Sequence, residues 1–301
     1  MTTLPPYLQH GDTIGIACPA RFIDADTIAS TIQIIEQWGC KVKLCSNINA
    51  QHHQFGGTDA ERTAGFNELL SDPNVKAILV GRGGYGCVRI VDGIDWNLLQ
   101  QQPKWIVGYS DVTVFHNHIH QHLTMATLHA EMPVNFTKPE YGHNVTLLQQ
   151  ALFGNIQSYT FSHDASINGT CRGVLVGGNL SILYSLAGTP SALNTNNKIL
   201  FIEDLDEYLY HIDRMLLQLS RGNVLSNIKG VVIGSMSDMK DNTIPFGQNA
   251  IEILTAVLAP LNIPVAFGAP CGHQATNYPL VLGAEYVLRV SDKEAVLSIG
   301  L

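Results

Sequence analysis

The first half of the chain alternates short apolar runs with longer segments in which apolar residues recur every three or four positions. Thr58 and Glu61 have the spacing of a capping box at the start of one such helical segment. Apolar strands that alternate with helices through short connections indicate a doubly wound parallel sheet. We predict strands at residues 12–20, 40–48, 75–81 and 103–111, and helices at residues 24–39, 58–72 and 112–123.

The alternation is interrupted near residue 137, which indicates a second domain. A turn-rich segment and one helix lead into a polar stretch without periodicity. Strand and helix signals resume at Gly173 and end with two further strand-like runs. We predict an N-terminal domain at residues 1–154, a linker at 155–172 and a C-terminal α/β domain at 173–301.

Composition narrows the class of protein. The 301 residues are 46% hydrophobic and 14% charged, which is typical of a globular protein. A formal charge of −8 gives no general attraction to nucleic acid or anionic lipid, so we expect neither as a partner. Neither a signal peptide nor an apolar run of about 18 residues is recognisable, so we expect no membrane span. Six scattered cysteines without a C-x-x-C pair favour reduced thiols in a cytoplasmic protein.

The segment "GYSD", from Gly108 to Asp111, follows a predicted buried strand and precedes a predicted helix. Such a sharp turn holds a serine Oγ clear of the backbone and directs helix N–H groups at a developing oxyanion. Val112 stands where the G-x-S-x-G elbow has its second glycine. Ser110 is therefore a candidate nucleophile, and the alternative is that it only caps the helix.

Four histidines follow at alternate positions. On a helix they would form two pairs spaced i, i+4, which is a spacing able to bind metal. The zincin motif needs a glutamate after its first histidine, and Asn117 holds that place. With no acidic residue to complete a site, we expect no metal and interpret these residues as partly exposed helix positions. They are His116, His118, His120 and His122.

The segment "GRGGYG", residues 81–86, is a glycine-rich turn at the end of a predicted strand. It lacks the G-K-[ST] sequence of a P-loop. Three interpretations remain: a phosphate cradle, a source of backbone N–H groups for a reacting carbonyl, or a tight turn that needs positive φ.

Two residues in the second half of the chain could activate the serine as a nucleophile. Glu203 ends an apolar strand and could orient a histidine. His273 lies in a glycine-bounded loop after another strand and is a candidate general base. For Asp206 and Glu207 we favour a solvated acidic loop, and we do not favour a Cys271–His273 pair.

The order of these motifs resembles the LD-carboxypeptidase family, also called murein tetrapeptide carboxypeptidases. The motifs "GRGGYG", "GYSD", "GGN", "IEDLDE…IDRML" and "GHQ…YPLVLGA" carry a similarity that spans nearly the whole chain. The resemblance implies a Rossmann-like N-terminal domain with a mostly parallel sheet and a C-terminal β-rich α/β domain. It also implies a homodimer, with the active site at the domain junction.

The resemblance further implies a serine peptidase without metal or cofactor. Carried over by motif, Ser110 is the nucleophile, Glu203 the acid and His273 the base. The oxyanion hole would use the backbone N–H groups of Asp111 and Gly84.

The family substrate is a murein tetrapeptide, from which the terminal D-alanine is removed at an L,D bond in the cytoplasm. Because this peptide is acidic, Arg82 and Arg214 are candidates to bind its carboxylates, with Tyr85 as a further contact. Structural roles are the alternative for both arginines. In the segment "LHAEMPVNF", Ala130 and Glu131 stand where the family pattern has a Gly-Pro-like step. This departure concerns how the substrate is bound and does not involve the triad.

Three alternatives remain open. A microcin-immunity branch of the family uses the same triad on peptidyl- or aminoacyl-nucleotides. The chain length and the absence of an aromatic-rich insertion before the His273 loop favour the cell-wall branch. A non-catalytic two-domain ligand-binding protein would tolerate the loss of Ser110, and a metallohydrolase would depend on the histidine run.

Overall fold

The computed structural model describes residues 2–292 and 294–300 and divides into two compact units. Unit 1 comprises residues 1–156 and Tyr278–Val281. Unit 2 comprises residues 157–277 and 282–301. Each unit is built around one sheet, so the chain has the mixed α/β fold that the sequence predicts.

Unit 1 contains a six-stranded sheet in the order β11-β5-β4-β3-β1-β2. Neighbouring strands from β5 through to β2 run parallel. The residues of β3 and β4 are almost all buried, which explains their continuous apolar sequence. The strands are β1 (Thr13–Ala17), β2 (Lys41–Leu44), β3 (Val75–Val80), β4 (Trp105–Gly108), β5 (Thr127–His129) and β11 (Leu280–Leu282).

The first two helices of unit 1 begin at residues that the sequence favours as caps. Asp24 accepts a hydrogen bond from the N–H of Thr27 at the start of α1, and Thr58 and Glu61 form the predicted capping box of α2. The helices are α1 (Ala25–Gln37), α2 (Asp59–Ser71), α3 (Cys87–Ile90), α4 (Trp96–Gln101), α5 (Thr113–Leu123) and α6 (Gly142–Leu152).

Unit 2 contains a seven-stranded mixed sheet in the order β10-β9-β8-β7-β12-β13-β6. The strands from β10 to β7 run parallel, and those from β7 to β6 run antiparallel. Its strands are β6 (Tyr159–Phe161), β7 (Gly169–Asn179), β8 (Ile199–Leu205), β9 (Gly230–Ser237), β10 (Val265–Ala266), β12 (Glu285–Val290) and β13 (Ala295–Ile299).

Three helices cover the parallel half of this sheet, and their apolar faces form the core with β8 and β9. They are α7 (Leu180–Leu186), α8 (Leu209–Arg221) and α9 (Ala250–Leu258). In the part of the chain that the structure describes, no helix is long and apolar enough to cross a membrane.

The segment 155–172, which we predict as a linker, contains regular structure. Residues Tyr159–Phe161 form β6 and pair with β13, and β7 begins at Gly169. Strand β6 and the first residues of β7 pair antiparallel with their neighbours, and in antiparallel sheets only one face needs apolar residues. Because their sequences are polar, these strands are not recognised by a search for apolar runs.

Candidate active site

Ser110 lies on a strained turn between a buried strand and a helix. Strand β4 ends at Gly108, Ser110 adopts the left-handed φ of +62°, and α5 begins three residues later. A non-glycine residue rarely adopts this conformation, which is held here by the surrounding structure. In the described residues, α5 starts without a side-chain cap, so Ser110 does not serve as the helix cap. The backbone therefore presents the serine as a nucleophile elbow does.

The glycine-rich turn after β3 packs directly against this serine. A Cβ added to Gly83 would lie 3.3 Å from Ser110 Oγ and 3.1 Å from its Cβ. Gly84 has a φ of +103°, and a Cβ there would lie 2.6 Å from both Cδ and Nε of Arg21. The positive φ at Gly84 favours glycine, and Gly83 has little room for a side chain, so the turn lies close to the serine. Gly84, whose N–H is a predicted oxyanion donor, directly follows Gly83.

The Asp111 carboxylate joins the serine turn to the glycine turn. The side chain is buried, and its Oδ2 accepts a hydrogen bond of 2.8 Å from the backbone N–H of Cys87, the first residue of α3. Burial raises the pKa of Asp111, while the Cys87 N–H and the positive charges of Arg62 and Arg21 act in the opposite direction. The side chain of Asp111 thus has a structural role, and its own N–H is the predicted oxyanion donor.

Arg62 is a second link among these turns, and sequence analysis missed it. Its fully buried guanidinium donates to the carbonyls of Pro19 and Gly86, the latter at 3.0 Å, and to the carboxylate of Asp59. The turn after β1 and the turn after β3 are therefore held by one side chain. A sequence signal exists, because Arg62 lies on the buried face of α2 in line with Phe66 and Leu69.

The histidine run forms the body of α5, and the prediction of partly exposed side chains is wrong for two of the four. His116 and His118 are buried. Nε2 of His116 lies 2.8 Å from the carbonyl oxygen of Gly108, and burial lowers the pKa of His116 to about 3. Because neutral His116 donates to that carbonyl, it supports the serine turn. Burial, followed by the charge of nearby His122, lowers the pKa of His118 to about 4.

No cluster of three or more His, Cys, Asp or Glu side chains suited to a metal ion is found among residues 2–292 and 294–300. The His118 ring packs against two other aromatic rings. Its centroid lies 5.3 Å from Trp96 and 4.3 Å from His122. The helix uses these histidines in packing.

In unit 2, Glu203 and His273 form a hydrogen-bonded pair. Glu203 lies on β8 and is fully buried, and its Oε2 accepts from Nδ1 of His273 at 2.7 Å and from the His273 backbone N–H at 3.3 Å. A carboxylate can only accept, so Nδ1 carries the hydrogen and Nε2 is left as the basic nitrogen. The His273 side chain is 14% exposed, which leaves it accessible to a reacting group.

The loop that carries His273 is fixed by backbone contacts. Gly272 has a φ of +109°, and a Cβ there would lie 2.8 Å from Oε2 of Glu203. The Gly272 N–H donates to Oδ1 of Asn277 at 2.9 Å, and Ser237 Oγ donates to the His273 carbonyl at 2.5 Å. Glycine is thus required for the histidine to approach the buried carboxylate.

Asp204 is the next residue on β8 and has a separate set of partners. Its carboxylate accepts from the backbone N–H groups of Ser181 and Leu205 and from Nδ2 of Asn179, at 2.8–2.9 Å. Burial and then the charge of Glu203 raise the pKa of Asp204 to about 7. Asn179 also caps α7, so the "GGN" motif anchors this carboxylate. Sequence analysis assigned no role to Asp204.

The other acidic residues after β8 are solvated, as we interpret them from the sequence. Asp206 forms an exposed ion pair with Lys240 at 2.6 Å, and Glu207 pairs with His211 at 2.5 Å. Surface pairs of this kind contribute little to stability. They support the view that Glu203 is the functional carboxylate of the segment.

The three predicted substrate contacts are open to solvent to different degrees. Arg82 is partly buried, Tyr85 is 43% exposed, and Arg214 is exposed on α8 with its guanidinium 5.2 Å from the ring centre of Tyr210. Arg21, against Gly84, is a further cation near the serine that sequence analysis missed. It lies in "CPAR", directly after β1, where a ligand-facing residue of such a sheet is expected.

Comparisons with known proteins identify the fold and the family. The sequence matches the LD-carboxypeptidase N-terminal domain over residues 14–130 and the LD-carboxypeptidase C-terminal domain over residues 172–288. A probable murein peptide carboxypeptidase of Bacillus subtilis is 34% identical over 306 residues, covering 99% of this chain and 95% of that protein.

Two further relatives represent the two branches considered above. The crystal structure of muramoyltetrapeptide carboxypeptidase from Oxalobacter formigenes has a TM-score of 0.89 at 28% identity, with 96% of this chain and 99% of that chain covered. The microcin C7 self-immunity protein of Escherichia coli is 25% identical over 330 residues, covering 95% of this chain and 93% of that protein.

The two-sheet α/β fold and these matches define a two-domain protein of the peptidase class. The chain belongs to the LD-carboxypeptidase family.

Proposed function

We propose that this protein is a serine carboxypeptidase that hydrolyses the L,D peptide bond before the terminal D-alanine of murein tetrapeptides. The observation that carries the proposal is the 2.7 Å hydrogen bond between Nδ1 of His273 and the fully buried Oε2 of Glu203. A buried carboxylate on Nδ1 fixes the tautomer that a general base needs. The names of the murein carboxypeptidase relatives support the choice of substrate.

In the proposed mechanism, Nε2 of His273 takes the proton of Ser110 Oγ as that oxygen attacks the scissile carbonyl. Glu203 stabilises the imidazolium that forms, and His273 then protonates the leaving amine of D-alanine. The resulting acyl-enzyme is hydrolysed by water, again with His273 as the base. The strained φ of Ser110 supports this role, since it holds the hydroxyl away from its own backbone.

The oxyanion would be stabilised by the backbone N–H groups of Asp111 and Gly84. Asp111 follows the nucleophile at the start of a helix, where N–H groups are unpaired. The closeness of Gly83 to Ser110, where an added Cβ would lie 3.3 Å from Oγ, supports a contribution from the glycine turn. Fixed donors of this kind stabilise negative charge that develops only in the transition state.

The proposal extends to the substrate and its setting. Arg82 and Arg214 would bind carboxylates of the peptide, and Tyr85 would contact it from the exposed side of the glycine turn. The protein would act on wall fragments recycled in the cytoplasm and would form a homodimer. Light scattering of the purified protein tests the last point, and a mass near 32.8 kDa would contradict it.

A second candidate function follows from the relationship to the microcin C7 self-immunity protein, which is 25% identical to this chain. In this case the same groups would cleave an aminoacyl-nucleotide. Rates of hydrolysis of a murein tetrapeptide and of an aminoacyl-sulfamoyl adenosine separate the two functions. We expect a higher kcat/KM for the tetrapeptide, and the reverse order would overturn the proposed substrate.

The serine mechanism is tested by Ser110→Ala with release of D-alanine as the readout. We expect a loss of at least about 10³-fold in kcat, because the nucleophile is removed while binding is retained. Ser185→Ala is the matched control, since Ser185 is an exposed serine on α7 that bonds only its own helix at Ile182. A serine-directed phosphonate should add its mass to Ser110 in the wild type and in Ser185→Ala, and should leave Ser110→Ala unlabelled. Full activity of Ser110→Ala would refute the mechanism.

A further inference from the structure

Arg21 is fixed by its backbone beside the serine turn of unit 1. It follows β1 and forms an isolated antiparallel bridge with Phe55. On either side of it, Phe22 N–H donates to Gln54 O at 3.2 Å and Gly56 N–H donates to Ala20 O at 3.0 Å. The residue therefore has a defined position, although it lies in a loop.

The side chain of Arg21 lies beside the same glycine turn as the candidate nucleophile. A Cβ added to Gly84 would be 2.6 Å from Cδ and Nε of Arg21, and a Cβ added to Gly83 would be 3.3 Å from Ser110 Oγ. The arginine and the serine thus lie next to consecutive residues of one turn. The charge of Arg21 also acts on the buried carboxylate of Asp111, which follows the nucleophile.

Among the described residues, the guanidinium groups of Arg62 and Arg89 have hydrogen-bond partners, and that of Arg21 has none. Arg62 donates to two carbonyls and to Asp59, and Arg89 donates to the same carboxylate through Nε at 3.0 Å and Nη2 at 2.6 Å. Nε of Arg21 is buried and has no hydrogen-bond partner among the described residues, and Arg21 forms no ion pair with any of them. A buried charged donor without an acceptor is costly, so a ligand that supplies the acceptor would bind favourably.

We propose that Arg21 binds the free C-terminal carboxylate of the peptide and so restricts the enzyme to cleavage of the last residue. This inference rests on the proposed carboxypeptidase function. In such a substrate one Cα and one nitrogen separate the terminal carboxylate from the scissile carbonyl, a span of about one residue or ~3.8 Å. Arg21 lies beside Gly84 and Ser110 lies beside Gly83, so the proposed subsite and the nucleophile flank adjacent residues of one turn. The planar fork of the Arg21 guanidinium also matches a carboxylate in two hydrogen bonds.

The test pairs a change in the enzyme with a change in the substrate. D-Alanine or D-alaninamide release is measured from a tetrapeptide with a free terminal carboxylate and from the same peptide with a terminal amide. The enzymes are wild type, Arg21→Met, Arg21→Lys and the control Arg172→Met. Arg172 is an exposed arginine of unit 2 that pairs with Glu285, so its loss removes a guanidinium outside the proposed subsite.

In wild type and in Arg172→Met, kcat/KM should be about 100-fold or more higher for the peptide with the free terminal carboxylate (the acid) than for the terminal amide. This ratio is expected when a charged pair is formed with the substrate. In Arg21→Met, kcat/KM should fall by about 100-fold for the acid and by less than about 3-fold for the amide, so that the preference disappears. Arg21→Lys should retain part of the preference, since it keeps the charge and loses the fork. If Arg21→Met does not fold, the test uses Arg21→Lys alone, in which the preference for the acid over the amide should be reduced.

Other outcomes separate the two proposals. Equal losses on both peptides in Arg21→Met would show that Arg21 only supports the glycine turn and would overturn the inference. Unchanged preference for the acid in both Arg21 variants would also overturn it, while the carboxypeptidase function stands. Failure of the wild type to release the terminal residue from either peptide would refute the proposed function, and with it the inference.

Discussion

The serine turn of unit 1 and the carboxylate–histidine pair of unit 2 are held in place by different forces. Ser110 is positioned by its backbone: it has a left-handed φ of +62°, and the glycine turn lies so close that a Cβ added to Gly83 would be 3.3 Å from Ser110 Oγ. Glu203 and His273 are 70 residues apart and are held by a charged hydrogen bond in a buried environment. The position of the serine thus depends mainly on backbone shape, and the pairing of Glu203 with His273 depends on charge as well as on the glycine at 272.

This difference predicts which substitutions each region tolerates. A change from carboxylate to amide at Glu203, with the size of the side chain retained, should damage the pair. A single methyl group added at Gly83, with no change in charge, should damage the serine turn. The following substitutions test this contrast, from the largest expected effect to the smallest.

Glu203→Gln should lower kcat by about 10³–10⁴-fold, because a neutral amide neither fixes the His273 tautomer nor stabilises the imidazolium. The protein should remain folded, since the side chain keeps its size. Release of D-alanine across the pH range, with circular dichroism for folding, gives the comparison. A variant with more than about one tenth of wild-type kcat would show that this carboxylate is not needed by the base.

Asp204→Asn is the matched control on the same strand, and kcat should stay within about 3-fold of wild type because its partners lie elsewhere. Its effect should appear in stability. The pKa of Asp204 is raised to about 7 in the folded protein, above its unfolded value near 4. The folded state therefore binds more protons between these values, and wild-type stability falls as pH rises from about 4 to 7. Urea unfolding at pH 5 and pH 8 should show a smaller fall in the variant.

Gly83→Ala should lower kcat by about 10- to 100-fold, because a Cβ at 3.3 Å from Ser110 Oγ must shift the nucleophile. Gly142→Ala is the matched control, since a Cβ there meets nothing within 4 Å and Gly142 starts a helix. Activity and thermal unfolding of both variants should separate a local shift from general destabilisation. Wild-type kcat in Gly83→Ala would contradict the close approach of the turn.

The smallest effect on activity is expected at His116, where only stability should change. His116→Leu should lose about 1–2 kcal/mol at pH 7, because the Gly108 carbonyl loses the imidazole donor and keeps only the Ala130 N–H. His116→Gln, which can still donate, should lose less. Catalysis should survive in both variants and after dialysis against a chelator. Loss of activity on chelation would favour a metal site and contradict the serine mechanism.

The same variants have a defined pH dependence. Burial lowers the pKa of His116 to about 3 in the folded protein, below the unfolded value of about 6.5. The unfolded state therefore binds more protons between these values, and wild-type stability falls as pH drops below about 6.5. Wild type should lose about 2 kcal/mol of stability between pH 7 and pH 5, and His116→Leu lacks this group. Its deficit relative to wild type in urea unfolding should therefore disappear or reverse at pH 5. An unchanged deficit would show that the imidazole is charged in the folded state.

The sequence was sufficient to predict the features that are local in the chain. The parallel strands of unit 1, the Thr58–Glu61 capping box and the strand–turn–helix around Ser110 all follow from short patterns. The features it did not reveal depend on residues far apart. The polar strand β6 is recognisable only by its pairing with β13.

Buried polar groups were the other source of error. The sequence around His116 is typical of a surface helix position. The residue is buried because its ring bonds the carbonyl of Gly108, eight residues earlier. Arg62 and Asp204 owe their burial to acceptors and donors on other elements. No local pattern reports such partners, because hydrogen bonding between distant segments decides whether a polar residue can be buried.

The buried guanidinium of Arg62 also has a consequence for local unfolding. It donates to Pro19 and Gly86 on two different turns, so neither turn can open without leaving part of a buried charge unsolvated. The two turns should consequently behave as one cooperative unit in native-state hydrogen exchange. The amides of Ala20 and Cys87, 67 positions apart in the sequence, should then exchange with the same opening free energy. This segment of the site would open as a whole or stay closed.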